Sequence, residues 1–576
     1  MNWLLKRLPA VRPARSALAG AATLWVLGFC LSVLLTSRVA AGEPATATTS
    51  GVSPGAGGAS AAAQRLAGEI DAAIAASQRA AGIEPGAVVE DAGFARRVTL
   101  DLAGRIPTTA ELQAFLDDPA PGKRRRLIER LLTTADYAFH QRNQLDLLLL
   151  ARLRRDGAWR DYLLQASRER RPWDQLLREI LLPEREQPDE AGAAAFLRHR
   201  AKDLDALTND TSSLLFGINI ACAKCHDHPL VVDWEQRHYF GMASFFKRTY
   251  TTRGGSVAER FEGDVRFTTI YGEEKDASFM FLSGARVEEP AVERSDAEWK
   301  QVRQQIKEAE KNDQADPPPL PAFSPRAQLV DLALEDPRRY LAKNVANRLW
   351  ARLLGRGLVD PLDQMHSENP PSHPALLERL AEELVAHDYQ LSHLVRAIMI
   401  SDTYARSSRL ADAEPPPPEA FAVALPRPLT PHQLALSLSL ATRDPAALPG
   451  PAKPSDWEQQ RAAWEQRAEG WARRFEIPSP RFQVPVEEAM LLSNGTEMQQ
   501  DLLADRSDRL VGALQKQPSV PEQIDRAFRA ILSRPAEPAE RERLAAYLEA
   551  RRDRPVAGLR QMVWALLTSA EFRFNH

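Results

Sequence analysis

Cysteine is scarce, with three residues in a chain of 576. Cys30 stands alone in an apolar N-terminal run and has no assigned role, so thiol chemistry falls to Cys222 and Cys225. An excess of one charge is also missing. Lys and Arg number 74 against 77 Asp and Glu, for a net charge of −3, which gives no general pull towards nucleic acid or anionic lipid. The basic run Lys123-Arg124-Arg125-Arg126 opens an amphipathic pattern with Leu127, Ile128, Leu131 and Leu132, so it reads as a solvated helix face. No Ser-His-Asp order, glycine-rich phosphate loop or paired-carboxylate pattern argues for a particular hydrolase.

What is present is Cys222-Ala223-Lys224-Cys225-His226, followed by Asp227-His228-Pro229. Two thiols separated by two residues reach neighbouring vinyl groups of a haem, and a histidine directly after the second thiol points its ring at the iron. That is the pattern of covalent c-type haem attachment. Two other readings use the same residues. Cys222 and Cys225 can close a disulfide, or Cys222, Cys225, His226 and His228 can hold zinc or copper, with His238 as a further donor. The apolar stretch 211–221 is expected to be a buried helix, capped by Thr208 or Asp210 and ended by Pro229, with the motif on its last turn.

Haem attachment of this type requires export, and the N-terminus has the matching signals. Lys6, Arg7, Arg12 and Arg15 precede an uncharged run over residues 16–36, and Val39-Ala40-Ala41 offers a small-residue exit. The run serves as a cleaved signal or as a membrane anchor. Residues 43–63, rich in Gly, Ser, Thr, Pro and Ala, read as a tether. Further on, Thr108 and Glu111 form a capping box. Strand-like alternation at Val265, Phe267 and Thr269, with a second run at 278–282, predicts a small β-hairpin. A charged helix follows over 296–312. Residues 105–137 and 534–572 share an Arg-Pro turn, helices and a closing acidic-aromatic pair, which reads as a reused packing unit.

The segment from Phe94-Ala95-Arg96-Arg97 to Asp101-Leu102-Ala103-Gly104, the Cys222 to Pro229 motif and Tyr239-Phe240-Gly241-Met242 resemble the planctomycete-type cytochrome c-like domain of unknown function. Asn347-Arg348-Leu349-Trp350, Gly355-Arg356-Gly357-Leu358 and Asn369-Pro370-Pro371-Ser372-His373-Pro374 resemble its usual partner, a second uncharacterised domain. The resemblance implies an exported, cytochrome-like and mostly helical protein, and it implies no reaction. Many relatives carry an additional N-terminal cytochrome module with its own CxxCH. Here the tether stands in its place, so an electron partner is a separate molecule.

The expected fold is mostly all-α, with two helical domains and a small β-hairpin insertion between them. The divisions are a signal peptide or anchor over 1–41, a linker over 42–63 and a cytochrome c-like domain over 64–250. A connector over 251–322 leads to the second domain, 323–576, which is interrupted by proline-rich and charged insertions at 414–431 and 444–480. In that domain Asp360, Asp363, His366, Asn369 and His373 form a polar loop ending at a helix start that Ser372 is placed to cap. It reads first as a rigid turn, and otherwise as a site for a metal, an anion or the first domain. For a sixth iron ligand the sequence offers Met242, Met280, Met365, His140, His199 and His238. The resulting expectation is an extracytoplasmic electron carrier or redox sensor holding haem c through Cys222, Cys225 and His226. The alternatives are a zinc or copper protein or enzyme using His226 and His228, and a surface interaction protein with a structural disulfide.

Overall fold

The helix Ala56–Ala81 opens the computed structural model, which describes residues 56–150, 156–183, 192–409, 414–448, 454–478 and 483–576. This helix starts inside the stretch expected to be a tether. Alanine is the strongest helix former, and Leu66, Ile70 and Ile74 carry one face of the helix into the core. The expected export segment, including Cys30, lies outside the described residues. Among the described residues no helix is long and apolar enough to cross a membrane.

The fold is mostly all-α, and its β structure consists of short two-stranded antiparallel pairs. The predicted hairpin resolves differently in detail. Arg266–Thr268 pairs with Glu274–Asp276, and Phe279–Met280 pairs with Arg286–Val287. The two expected strands therefore belong to separate hairpins. Phe267 joins its hairpin to the helix Gln236–Phe246 by stacking on Phe240 at 4.4 Å.

One apolar core runs from Ala63 to Phe421, and a second gathers residues from Leu429 to Phe572 together with Leu100 and Ile106. The helix Asp91–Ala103 feeds both. Three of its four charged residues are not a surface feature: Arg96, Arg97 and Asp101 are all buried. Arg96 donates to the carbonyls of Ile531, Glu571 and Phe572 at 3.1, 3.3 and 3.2 Å. Asp101 accepts from Tyr404 Oη at 2.7 Å, from Arg427 at 2.7 and 2.9 Å and from Asn575 at 2.9 Å. These bonds fasten the 427–428 and 574–575 strand pair to the helix.

The repeat is a repeated ion clasp. Arg105 follows Gly104, which closes its helix in the left-handed region at φ 69°. Its guanidinium binds Glu111 at 2.8 Å and Asp136 at 2.8 Å, and Glu111 also completes the capping box with Thr108. Arg534 follows the left-handed Ser533 and binds Glu540 at 2.7 Å and Glu571 at 2.6 Å, with Glu540 in its own capping box. Each clasp ties a helix start to the acidic residue before a buried aromatic, Tyr137 or Phe572.

The charged stretch 444–480, expected as an insertion, contains the helix Pro454–Ala472 with Trp464, Ala468 and Ala472 in the second core. Its Arg461 is fully buried and pairs with Asp136 at 2.7 Å and with Glu465 at 2.5 Å, while Glu465 reaches Arg142 at 2.5 Å. Three arginines and three carboxylates thus form one buried chain. Burial pushes Glu111 and Glu465 upward, but the flanking guanidiniums prevail and hold both at about 2.

Removing one member of such a network strands its partners in a medium of low dielectric. Asp136→Ala is expected to cost about 3–5 kcal/mol in chemical denaturation. Arg266→Ala, which breaks an exposed pair with Asp276, should change stability by no more than about 1 kcal/mol.

The pH dependence follows from the same carboxylates. The contribution of Glu111 and Glu465 is fully present above the ordinary value of 4.5 and is lost as pH falls towards 2. Unfolding free energy measured across that window should drop more steeply for the native chain than for Glu465→Gln.

Candidate functional site

The chain entering the cysteine motif is fixed by short-range geometry and by a contact from the second half. Asp203 caps the helix Leu204–Asp210 by accepting from Asp205 N and Ala206 N at 3.0 Å each. The helix continues as a wider turn over Thr211–Leu215 and stops there. The expectation of an unbroken helix to Pro229, capped by Thr208 or Asp210, is therefore corrected. Gly217 takes φ +71°, and a Cβ at that position would lie 2.8 Å from Asn344 Oδ1. Only glycine suits both demands.

Beyond Gly217 the backbone is stitched to the polar loop of the second half. Met365 N donates to Gly217 O at 3.1 Å and Asn219 N donates to Asp363 O at 2.8 Å, around a single antiparallel bridge between Ile218 and Gln364. Asn219 Oδ1 then accepts from Ala221 N at 3.1 Å and starts the tight turn Ala221–Lys224. Ala223 points inward and is fully buried, whereas Cys222 and Cys225 are exposed, free thiols. Gln236 closes the loop from the other side, its side chain donating to Cys225 O at 3.1 Å and its backbone N–H to Asp227 Oδ1 at 2.9 Å.

The two histidines of the motif are in different states. His226 is exposed, and its Nδ1 lies 2.7 Å from the Asp227 carbonyl oxygen. A carbonyl only accepts, so Nδ1 carries the proton and the lone pair of the neutral ring sits on Nε2. His228 Nδ1 instead accepts from Leu230 N at 3.3 Å and Val231 N at 3.1 Å. Its lone pair is committed to the backbone, which leaves the proton on Nε2. Leu230 and Val232, 80 % and 82 % exposed, form an apolar rim next to the motif.

The loop constellation of the second half meets the chain on either side of the cysteine motif. Ser367 N donates to Asp233 Oδ2 at 2.7 Å, and Asp363 Oδ2 accepts from Asn219 Nδ2 at 3.4 Å. Asn369 bonds the Gln364 carbonyl at 2.9 Å and Asp360 pairs with Arg356 at 3.1 Å, which is local turn chemistry. His366 faces Asp233 and His228, and burial pushes it below the usual histidine range. Ser372 does not cap the helix Pro374–Ala386. His373 occupies the N-cap position, bonded to Ser372 Oγ at 3.1 Å and packed on Phe421.

The proposed sixth ligands are dispersed. Met242 is in the core, Met280 packs against Gly241, and Met365 is buried in the loop beside Gly217. His140 abuts Gly104 and is pushed down to about 3 by burial. His199 lies 3.4 Å from Asp156, and His238 accepts from Glu235 N at 3.1 Å.

Sequence reasoning missed the group Glu383, His387 and His393, whose ligand atoms lie within 4.8 Å of one another. The four-residue step from Glu383 to His387 on one helix was the available signal. Its geometry favours a hydrogen-bonded stack over a shared ion. The two rings are parallel within 10° at 3.7 Å, so an ion between them would leave the plane of both imidazoles. Glu383 is already occupied by His393 at 2.9 Å and by Arg379 at 2.7 Å.

Residues 69–251 match PSCyt2, described as a protein of unknown function (DUF1549), and residues 325–481 match PSD1, described as a protein of unknown function (DUF1553). No curated protein matches the chain. No solved structure matches it either.

The outward placement of both thiols is directly measurable. In a full-length Cys30→Ser chain prepared without cofactor and under reducing conditions, an aromatic disulfide reagent should titrate two thiols at rates close to those of a small free thiol. A requirement for denaturant would contradict the turn geometry.

Proposed function

We propose, for a chain that pairs the cytochrome-like PSCyt2 domain with the PSD1 domain, a single-haem electron carrier or redox sensor working outside the cytoplasm. Cys222 and Cys225 would hold haem c through thioether bonds, and His226 would supply a nitrogen to the iron. The observation that carries this reading is the turn itself. Two exposed thiols flank the inward Ala223, and the neighbouring imidazole is locked as the tautomer with its lone pair on Nε2. When bound, the haem supplies one-electron exchange.

The rest of the reading assigns tasks to protein groups. The Asp227 carbonyl orients the His226 ring as a ligand. Gln236 and the Asp363 backbone hold the two ends of the motif in register. Leu230 and Val232 provide apolar surface of the kind a porphyrin covers. Location outside the cytoplasm rests on the basic N-terminus and the 16–36 run, and electron exchange then needs a separate redox partner. The zinc or copper alternative is less favoured because His228 has already committed its Nδ1 lone pair to two backbone N–H groups.

Expression of the full chain with a c-type cytochrome maturation system, followed by intact mass under denaturing conditions, tests this proposal. A covalent haem adduct is expected, and Cys222→Ser with Cys225→Ser should abolish it. His228→Ala should retain it. Bound zinc or copper without haem would replace this reading with the metal alternative, and an oxidised Cys222–Cys225 pair without cofactor would leave a structural role.

A further inference from the structure

We infer that the cavity between the helices Ala135–Leu150 and Tyr340–Leu354 is a binding site for a small organic carboxylate with an apolar body. The cavity has a volume of about 720 Å³, within the range typical of small-molecule sites. Leu145, Leu349 and Leu391 supply apolar walls, while Arg348 and Arg352, one helical turn apart, bring two guanidiniums to the same space.

These half-buried arginines differ from most inward-facing cations of the fold, although Arg96 also meets only neutral acceptors. Arg105, Arg461 and Arg427 each hold a carboxylate at 2.7–2.8 Å. Arg348 donates only to Asn344 Oδ1 at 2.9 Å and to the Ser213 carbonyl at 2.8 Å, and Arg352 only to Gln141 Oε1 at 3.2 Å. Among the described residues neither has a carboxylate at ion-pair distance. Of the two carboxylates that line the cavity, Asp360 pairs with Arg356, and Asp363, bonded to the Asn219 amide, acts on Arg348 only from beyond ion-pair distance. Burial pushes Arg348 down to about 10, with only partial opposition from Asp363, and it lowers Arg352 as well.

A guanidinium partly withdrawn from water without a counter-charge at ion-pair distance carries a desolvation cost. An incoming carboxylate offers planar, bidentate, charge-assisted acceptors that neutral side chains do not. The leucine walls select a ligand with an apolar body over a bare inorganic anion. The site is independent of the haem reading. It uses neither the motif cysteines nor His226, and it draws on helices of both halves of the chain.

Calorimetric titration of the full chain without cofactor, at constant ionic strength, tests the inference with hexanoate, benzoate and 2-naphthoate. Benzamide serves as the neutral control and sulfate as the anion without an apolar body. At least one carboxylate should bind saturably and at least tenfold more tightly than benzamide and sulfate. Arg348→Gln and Arg352→Gln should each weaken it at least tenfold in protein whose far-ultraviolet spectrum is unchanged. Leu349→Trp, which fills the cavity and leaves both arginines, keeps the test decisive if the arginine variants misfold, since it should also abolish binding. The inference is overturned if none of the three carboxylates binds, if benzamide or sulfate binds as well as the best of them, or if binding survives in folded variants.

Discussion

Asp136 is the carboxylate on which the architecture depends. It is almost fully buried and faces two fully buried arginines, Arg105 from the turn after the first motif helix and Arg461 from a helix more than three hundred residues further on. Trp457 adds an indole N–H at 2.8 Å. Neither arginine has an aqueous alternative, so the position of Asp136 decides where both helices lie. Glu111 and Glu465 extend the same logic outward until three positive groups meet three negative ones. Buried ion pairs are weak evidence for net stability. Here they tie together segments that lie far apart in the chain.

The second clasp, around Arg534, repeats the solution in a more open setting, with its carboxylates partly exposed. Left-handed residue, arginine, capping-box helix and acidic-aromatic pair recur in the same order. The recurrence lies in packing, not in chemistry: neither clasp contributes a residue to the cysteine motif. The motif is fixed by Gly217, Asn219 and Gln236, and by the loop around Asp363. Structural charge and prospective redox chemistry are thus separated in space.

Much of this was legible in the sequence where the determining contacts are local. The capping box at Thr108 and Glu111 and the repeated arginine turn are both written within a few residues. The interrupted helix before the cysteines was not, because the apolar letters of 211–221 suit a helix and the break is enforced by Asn344, 130 positions from the Leu214 carbonyl it also binds. The stretch 444–480 misled for the same reason. Arg461 and Glu465 look solvated until their partners in 105–142 are known. The thiols and His226 stood out as a candidate from spacing alone, but the tautomer that distinguishes His226 from His228 exists only in the folded loop.

The long reach of Arg96 has a consequence for synthesis. Its acceptors at Ile531 and Phe572 lie 435 and 476 positions downstream. At ribosomal speeds of about 5–20 residues per second, that separation amounts to roughly 20 to 95 s between the appearance of the guanidinium and of its carbonyls. Throughout that interval the helix Asp91–Ala103 is a half-built joint, with leucines ready to pack and a cation that its own neighbourhood does not neutralise. The joint closes only when the last helices of the chain have been made.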